Sequence, residues 1–173
     1  GDKWLFETKN DGYRALAAIA GPEVRIYTRN GNDWTDKFRS LMPPLSRLTK
    51  GSALIDGEIA AIKNGRTDFS SIQDAFSSHT PLVYYVFDLL ELDGESTEDM
   101  PLSERKELLR KLLGKNSGSG PIFYSDHVRG HGDKVFTAMC DAQQEGVIAK
   151  LADSPYRHER NKTWLKIKCL QRQ

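Results

Sequence analysis

The sequence predicts a mixed α+β fold rich in sheet, and three observations carry that reading. Short runs of apolar and β-branched residues recur along the chain, each bounded by Gly, Pro, Asn or Asp. Amphipathic stretches of helical period separate some of them. The chain has 173 residues with 38% apolar side chains, enough to bury one substantial core.

The first predicted strand covers Trp4 to Phe6 and the second Tyr13 to Ile19, with Asn10-Asp11-Gly12 supplying the residues of a tight reversal. Further strands are expected at Val24–Thr28, Ala53–Ile62, Leu82–Asp88, Ile122–Tyr124, Gly146–Leu151 and Thr163–Ile167. Helices are expected at Trp34–Leu41, Phe69–Phe76, Glu104–Leu113 and Asp133–Gln143. In the second helix Phe69, Ile72 and Phe76 share one face, and in the last Val135, Phe136, Met139 and Cys140 do so, which marks core. Ser103 is placed to cap the third helix and Gly114 to end it, before a surface loop through Lys115–Gly120.

Charge narrows the function. The net charge is only +1, yet Ser154 to Gln173 holds six Arg and Lys against the single Glu159, a local surplus that draws anions. Cys140 and Cys169 form no CxxC pair, and four histidines offer no zinc spacing, so free thiols in a reducing cytoplasm are expected. No apolar run is long enough to span a membrane, and the polar start abuts the first strand, as in a chain trimmed at its N-terminus. The acidic run Glu91, Asp93, Glu95, Glu98 and Asp99 lacks calcium-loop spacing and reads as a solvated face.

Several polar residues sit where a strand interior favours apolar ones. Asp56 and Glu58 interrupt Leu54–Ala60, and Asp88 follows Phe87 in an apolar run. Burying such carboxylates unpaired costs several kcal/mol, so they must face a ligand, a cation or water. Lys166 and Lys168 share one face of their strand. Lys9 stands at a strand end, and it can act as a nucleophile once its amine, with an ordinary pKa of about 10.4, sheds its proton near cations or apolar groups. A lysine nucleophile, metal-capable carboxylates, same-face lysines and a stacking aromatic are the parts needed to attack the α-phosphate of a nucleotide.

The order of these residues resembles the covalent nucleotidyltransferase superfamily of ATP-dependent DNA ligases, RNA ligases and mRNA capping enzymes. Lys9-Asn10-Asp11-Gly12-Tyr13-Arg14 matches its KxDGxR motif, Thr28-Arg29-Asn30-Gly31 its arginine-glycine motif and Asp56-Gly57-Glu58 its DGE motif. Phe87-Asp88, Glu145 to Lys150 (EGxxxK) and Trp164 to Lys168 (WxKxK) complete the series in order. Within the superfamily, Phe6-Glu7 with Lys9 to Arg14, the segment Thr28 to Thr35 and Val86 to Leu90 look most like the ligase domain of bacterial ligase D, the multifunctional end-joining enzyme. The chain departs from that group where His158-Glu159-Arg160-Asn161 replaces a glycine-arginine-serine run.

The resemblance implies an antiparallel-sheet, ATP-grasp-like nucleotidyltransferase domain with short flanking helices over residues 1–173, without the OB fold that follows in the family. It implies ATP as substrate, with magnesium or manganese, and a lysyl-AMP on Lys9 that passes to a 5′-phosphorylated DNA end. By that resemblance Glu7, Thr8, Arg14, Glu58, Phe87, Val147, Lys166 and Lys168 bind nucleotide, with Phe87 stacking on adenine and Val147 covering its other face. Arg29 takes the DNA 5′-phosphate, and Glu145 and Glu58 face metal. Nicked or broken double-stranded DNA is the implied substrate, end-binding and polymerase modules the implied partners, and a monomer at the bacterial nucleoid the implied setting. Two alternatives stay open: an RNA ligase or GTP-using capping enzyme, and a nucleotide- or DNA-binding module without efficient ligation.

Overall fold

A computed structural model describes residues 3–63, 66–68, 81–114, 120–141, 146–158 and 163–169. Among the described residues eleven strands form two sheets. They are β1 (Trp4–Thr8), β2 (Tyr13–Ala20), β3 (Glu23–Thr28), β4 (Ser52–Lys63), β5 (Arg66–Asp68), β6 (Leu82–Leu92), β7 (Glu95–Ser96), β8 (Ile122–Tyr124), β9 (His127–Arg129), β10 (Gly146–Leu151) and β11 (Trp164–Lys168). The smaller sheet runs β11-β10-β1-β9; the larger runs β3-β2-β4-β6-β7, with β5 beside β4 and β8 beside β6. All pairings are antiparallel except β6 with β8.

A 3-10 helix (Thr35–Leu41) leads into the short helix α1 (Met42–Ser46). Helix α2 (Leu102–Leu113) packs on β6 and β8, and α3 (Gly132–Asp141) packs on β1 and β10. Alternation decides what each strand buries. Ala15 and Ala17 of β2, Ile55 and Ile59 of β4, and Tyr84 and Val86 of β6 enter the main core with Phe38, Leu41 and Leu45. Phe6, Val147 and Ala149 join Val135, Phe136 and Met139 in a second cluster between the smaller sheet and α3. Each such aliphatic or aromatic side chain contributes roughly 1.5–3 kcal/mol when fully buried.

The reversal expected after Phe6 is not a hairpin. β1 pairs with β9 and β10, whereas β2 pairs with β3 and β4, so residues 9–12 pass from one sheet to the other. The Asn-Asp-Gly signal marks a change of direction and says nothing about which strand is the partner. Gly12 is required there by contact: a Cβ on it would stand 2.0 Å from the Ile59 carbonyl oxygen. Gly57 plays the same part at the β4–β6 irregularity, where a Cβ would come within 2.3 Å of the Tyr85 carbonyl oxygen.

Ser103 does not cap α2. The helix starts at Leu102 after an extended Pro101, and its first N–H groups find carbonyls elsewhere, Leu102 N–H donating to Ser154 and Ser103 N–H to Ala152. Gly114 does end it, with φ 58°. The cysteines are not free thiols: Cys140 and Cys169 form a disulfide. Spacing along the chain gave no sign of this, because the two meet only once α3 packs on β10 and β11 pairs with β10. The expected helix at Phe69–Phe76 and most of the loop at Lys115–Gly120 lie outside the described residues.

Candidate active site

The two sheets face each other across an open cleft of about 480 Å³. Its walls follow from strand alternation. Phe6 and Thr8 point toward α3, so Glu7 points the other way into the cleft, and Lys9 follows where β1 ends. On the opposite wall Arg14, Glu58 and Tyr85 stand in register across β2, β4 and β6, and all three line the cleft with Phe87. Ile148 and Lys150 of β10 and Trp164 and Lys166 of β11 close the near side, while Arg29, Arg157 and His158 border it.

Lys9 is anchored at both ends. Its backbone N–H donates to the Gly146 carbonyl at 3.0 Å, and its Nζ lies 2.9 Å from Asp11 Oδ1. Its side chain is 17% exposed, accessible to a ligand in the cleft without standing in bulk water.

Arg14 is held rather than mobile. Its Nε donates to Asp56 Oδ1 at 3.3 Å and its Nη2 to Asp56 Oδ2 at 2.7 Å, while the Tyr156 hydroxyl donates to the same Oδ2 at 2.7 Å. The guanidinium carbon sits 5.4 Å from the Phe87 ring centre and 5.1 Å from that of Trp164. Burial alone would lower the Arg14 pKa, yet Asp56 raises it, so the guanidinium is a fixed cation.

Glu58 differs. It has no hydrogen bond or ion pair among the described residues, and its pKa is pushed up to about 7, first by burial and then by Asp56 and Asp11, against the pull of Arg14 and Lys166. A half-buried carboxylate without a partner, aimed into a cleft, is suited to a hydroxyl donor or a cation.

Beneath Glu7 lies a charged floor. Glu7 Oε2 is 3.0 Å from Lys150 Nζ and 3.2 Å from Lys106 Nζ, and Ser125 Oγ donates to Oε1 at 2.8 Å. Burial would raise the Glu7 pKa, but the two ammonium groups and the hydroxyl hold it below the ordinary value. Lys150 Nζ also lies 4.1 Å from the Phe87 ring centre.

The sequence-based residues divide as follows. Glu7, Lys9, Arg14, Arg29, Glu58, Phe87 and Lys166 all line one cleft. Lys168 shares the face of Lys166 but lies beyond the cleft wall at the end of β11. Thr8 turns its hydroxyl toward Met139 Sδ, 3.5 Å away on the α3 side. Val147 is fully buried in the α3 cluster, and its neighbour Ile148 faces the cleft in its place, because adjacent strand residues point to opposite faces. Glu145 lies outside the described residues. Asp88, expected to face ligand, cation or water, meets a cation supplied by the protein itself: Arg105 Nε and Nη2 donate to its two oxygens at 2.7 and 3.1 Å, with both side chains fully buried.

Sequence reasoning passed over Arg105, Lys106, Tyr85 and Tyr156. The two cations carried a signal. Leu102, Arg105, Lys106, Leu109 and Leu113 form one helical stripe, and all five are buried. Two cations on an apolar stripe require buried acceptors.

The described residues fit a divalent cation only in part. No cluster of three or more His, Cys, Asp or Glu among the described residues could hold a metal. The oxygen donor Glu58, beside Asp11, suits a hard ion that takes its remaining ligands from phosphate and water, as magnesium does.

Known proteins match this architecture. The family model for the ATP dependent DNA ligase domain matches residues 1–168. The multifunctional non-homologous end joining protein LigD of Pseudomonas aeruginosa is 35% identical over 99% of this chain, which covers 21% of that protein. The SPbeta prophage-derived DNA ligase-like protein LigB of Bacillus subtilis is 33% identical over 96% of the chain and 61% of its own length. The crystal structure of the ligase domain from M. tuberculosis LigD superposes with a TM-score of 0.85 at 30% identity, over 95% of this chain and 53% of that one. A mycobacterial DNA ligase D complexed with ATP and MES gives a TM-score of 0.86, also at 30% identity, over 95% of this chain and 54% of that one. The chain thus spans about a fifth of the LigD protein and about half of the ligase-domain structures. Its two-sheet architecture matches those ligase-domain structures, and the chain belongs to the ATP-dependent DNA ligase domain family.

Proposed function

We propose that this domain transfers adenylate from ATP to a 5′-phosphorylated DNA end through a lysyl-AMP on Lys9, as the nucleotidyl-transfer step of end-joining nick sealing. The observation that carries the reading is the position of Lys9, at the point where the chain crosses between the sheets, on a cleft wall shared with Arg14, Glu58, Phe87 and Lys166.

Phe87 and Ile148 offer apolar surface to the adenine, and stacking on an aromatic suits any base. Selection would come from the cleft floor: an ionised Glu7 only accepts hydrogen bonds, which favours an exocyclic amine over a carbonyl. Glu58 would accept from a ribose hydroxyl or hold the cation, and Lys166 and Arg14 would draw the phosphates inward.

An ammonium has no lone pair, so Lys9 must first lose a proton, and Asp11 Oδ1 at 2.9 Å is placed to take it. The Nζ lone pair then forms a bond to the α-phosphorus while the bond to the bridging oxygen breaks, and pyrophosphate leaves with that electron pair. An oxygen of the DNA 5′-phosphate next attacks the same phosphorus, and Lys9 leaves as an amine. A 3′-hydroxyl finally attacks the 5′-phosphorus and expels AMP. Arg29, on the exposed turn after β3, is suited to the incoming DNA phosphate. Bound magnesium, held by Glu58 and in this reading by Glu145, would offset charge on the phosphates.

In the same reading the domain acts on nicked or broken duplex DNA as a monomer beside end-binding and polymerase modules, at the bacterial nucleoid. Among the described residues no helix is long and apolar enough to cross a membrane. Efficient sealing would use the OB domain that follows in the family.

The test is incubation with α-labelled ATP or GTP and magnesium. Acid-labile label from ATP supports the proposal. Label from GTP alone would mean a capping-type enzyme, and tight ATP binding without label would mean a binding module.

A further inference from the structure

We infer that Lys106 is a positioning residue for adenylate transfer, fixing the distance between the strand that delivers Lys9 and the strand that holds the base; this rests on the nucleotidyl-transfer reading above. Lys106 lies on α2, outside the cleft lining, and its side chain is fully buried. Its ammonium meets groups from both sheets. Nζ is 3.2 Å from Glu7 Oε2 on β1, donates at 3.3 Å to the carbonyl of Phe87 on β6, and donates at 2.8 Å to the carbonyl of Ser125, which links β8 of the larger sheet to β9 of the smaller. The face of the Tyr124 ring lies 4.9 Å away.

Charge neutralisation does not explain this residue. Lys150 already stands 3.0 Å from the same Glu7 oxygen, so the cluster sets two ammonium groups against one carboxylate. Nor is stability the obvious return. Taking an ammonium fully out of water costs several kcal/mol, and an apolar side chain at this point of the α2 stripe would avoid that cost. What Lys106 does that Lys150 does not is reach the Phe87 carbonyl.

Backbone joins these two strands only indirectly, through β8 beside β6, the short link at Ser125 and Asp126, and β9 beside β1. Among the described residues β1 and β6 share no ladder, being members of different sheets. Yet Glu7 is two residues before Lys9, and Phe87 carries the ring proposed to stack on the base. The ring that stacks on the base is carried by the larger sheet and the nucleophile follows a strand of the smaller. Displacing one wall by about 1 Å can cost on the order of a hundredfold in rate when the attack geometry is lost.

The experiment measures single-turnover formation of lysyl-AMP at saturating ATP, together with the ATP Kd, in wild type and Lys106→Met. A rate constant per active site is insensitive to the fraction of protein folded, so a merely structural loss would leave it unchanged. The expected result is a rate at least about tenfold lower with ATP Kd changed less than about threefold. Wild-type rate in Lys106→Met overturns the inference. Where Lys106→Met does not fold, Lys106→Arg, which keeps the charge but replaces the compact ammonium with a longer planar group, is read in the same assay: a lowered rate supports positioning and an unchanged rate overturns it. A wild-type chain that takes no label from ATP overturns the proposed function, and this inference with it. A labelled wild type with an equally fast Lys106→Met overturns the inference alone.

Discussion

Arg14 and Asp56 meet diagonally across β2 and β4 through two hydrogen bonds, of 3.3 and 2.7 Å, with Asp56 fully buried and Arg14 reaching into the cleft. The pair turns a cation on a flexible stem into a fixed feature of the wall. Asp56→Ala would leave Arg14 without its buried partner and the Tyr156 hydroxyl without its acceptor. Breaking such a pair costs about 3–5 kcal/mol, and urea unfolding should show a loss of that order. A loss below about 1 kcal/mol would mean that the arginine is held by something else.

Lys9 should be dispensable for folding and indispensable for labelling. Its ammonium pairs with Asp11 at the cleft surface, where an ion pair contributes only about 0–1 kcal/mol. Lys9→Ala should therefore unfold within about 1 kcal/mol of wild type while taking no covalent label from α-labelled ATP. Label retained on the variant would show that another nucleophile does the work.

Neighbours on β10 should respond in opposite ways. Ile148 faces the cleft and Val147 faces α3, so Ile148→Ala should weaken ATP with little effect on unfolding, whereas Val147→Ala should cost about 1–3 kcal/mol of stability and leave ATP affinity alone. Phe87→Ala should weaken ATP by about 1–3 kcal/mol through lost stacking. Calorimetric titration beside urea unfolding separates the two effects. A Val147 variant that loses ATP while keeping its stability would place that residue, not Ile148, against the base.

How much of this was legible follows from what each signal encodes. Alternation in Leu54–Ala60 and Tyr84–Leu90 was readable, and it located the strands that hold Glu58 and Phe87. Which face of β10 meets the base was not, because Gly146–Leu151 is apolar at every position but Lys150 and period 2 is silent there. The partner of β1 was hidden for a different reason: turn residues report local backbone shape, whereas pairing depends on β9 and β10, more than a hundred residues away. Lys106 stood in plain view on the apolar stripe of α2, but its acceptors come from β1, β6 and the link after β8, which only the assembled fold brings together.

The Glu58 carboxyl sets a pH dependence with a definite sign. Burial raises its pKa from 4.5 to about 7. Between those values the folded chain holds a proton that the unfolded chain has released, so stability falls as pH climbs through the window. At one proton the full effect is up to about 3 kcal/mol. Below pH 4.5 both states are protonated and the term is flat; above about 7 both are ionised and the penalty is complete. Unfolding in EDTA at pH 5, 6, 7 and 8 should show wild type losing stability relative to Glu58→Gln across that series. Parallel curves would mean that Glu58 is ionised throughout.

The bond between Cys140 and Cys169 joins the last turn of α3 to the residue after β11, closing a loop with a sequence separation of 29. β11 is an edge strand of the smaller sheet, held by backbone bonds to β10 alone, and Leu165 and Ile167 on its outer face are 44% and 37% exposed. Little else among the described residues restrains that face. Chain-entropy arguments give such a crosslink about 3–4 kcal/mol. Cys140→Ser should therefore lower the unfolding free energy by about that much relative to the oxidised chain, and a dithiol reductant should bring wild type to the same value. Since Trp164 and Lys166 sit on the strand so tethered, the variant should also bind ATP more weakly. If wild type carries two titratable thiols after purification without reductant, the bond does not form and none of these differences will be seen.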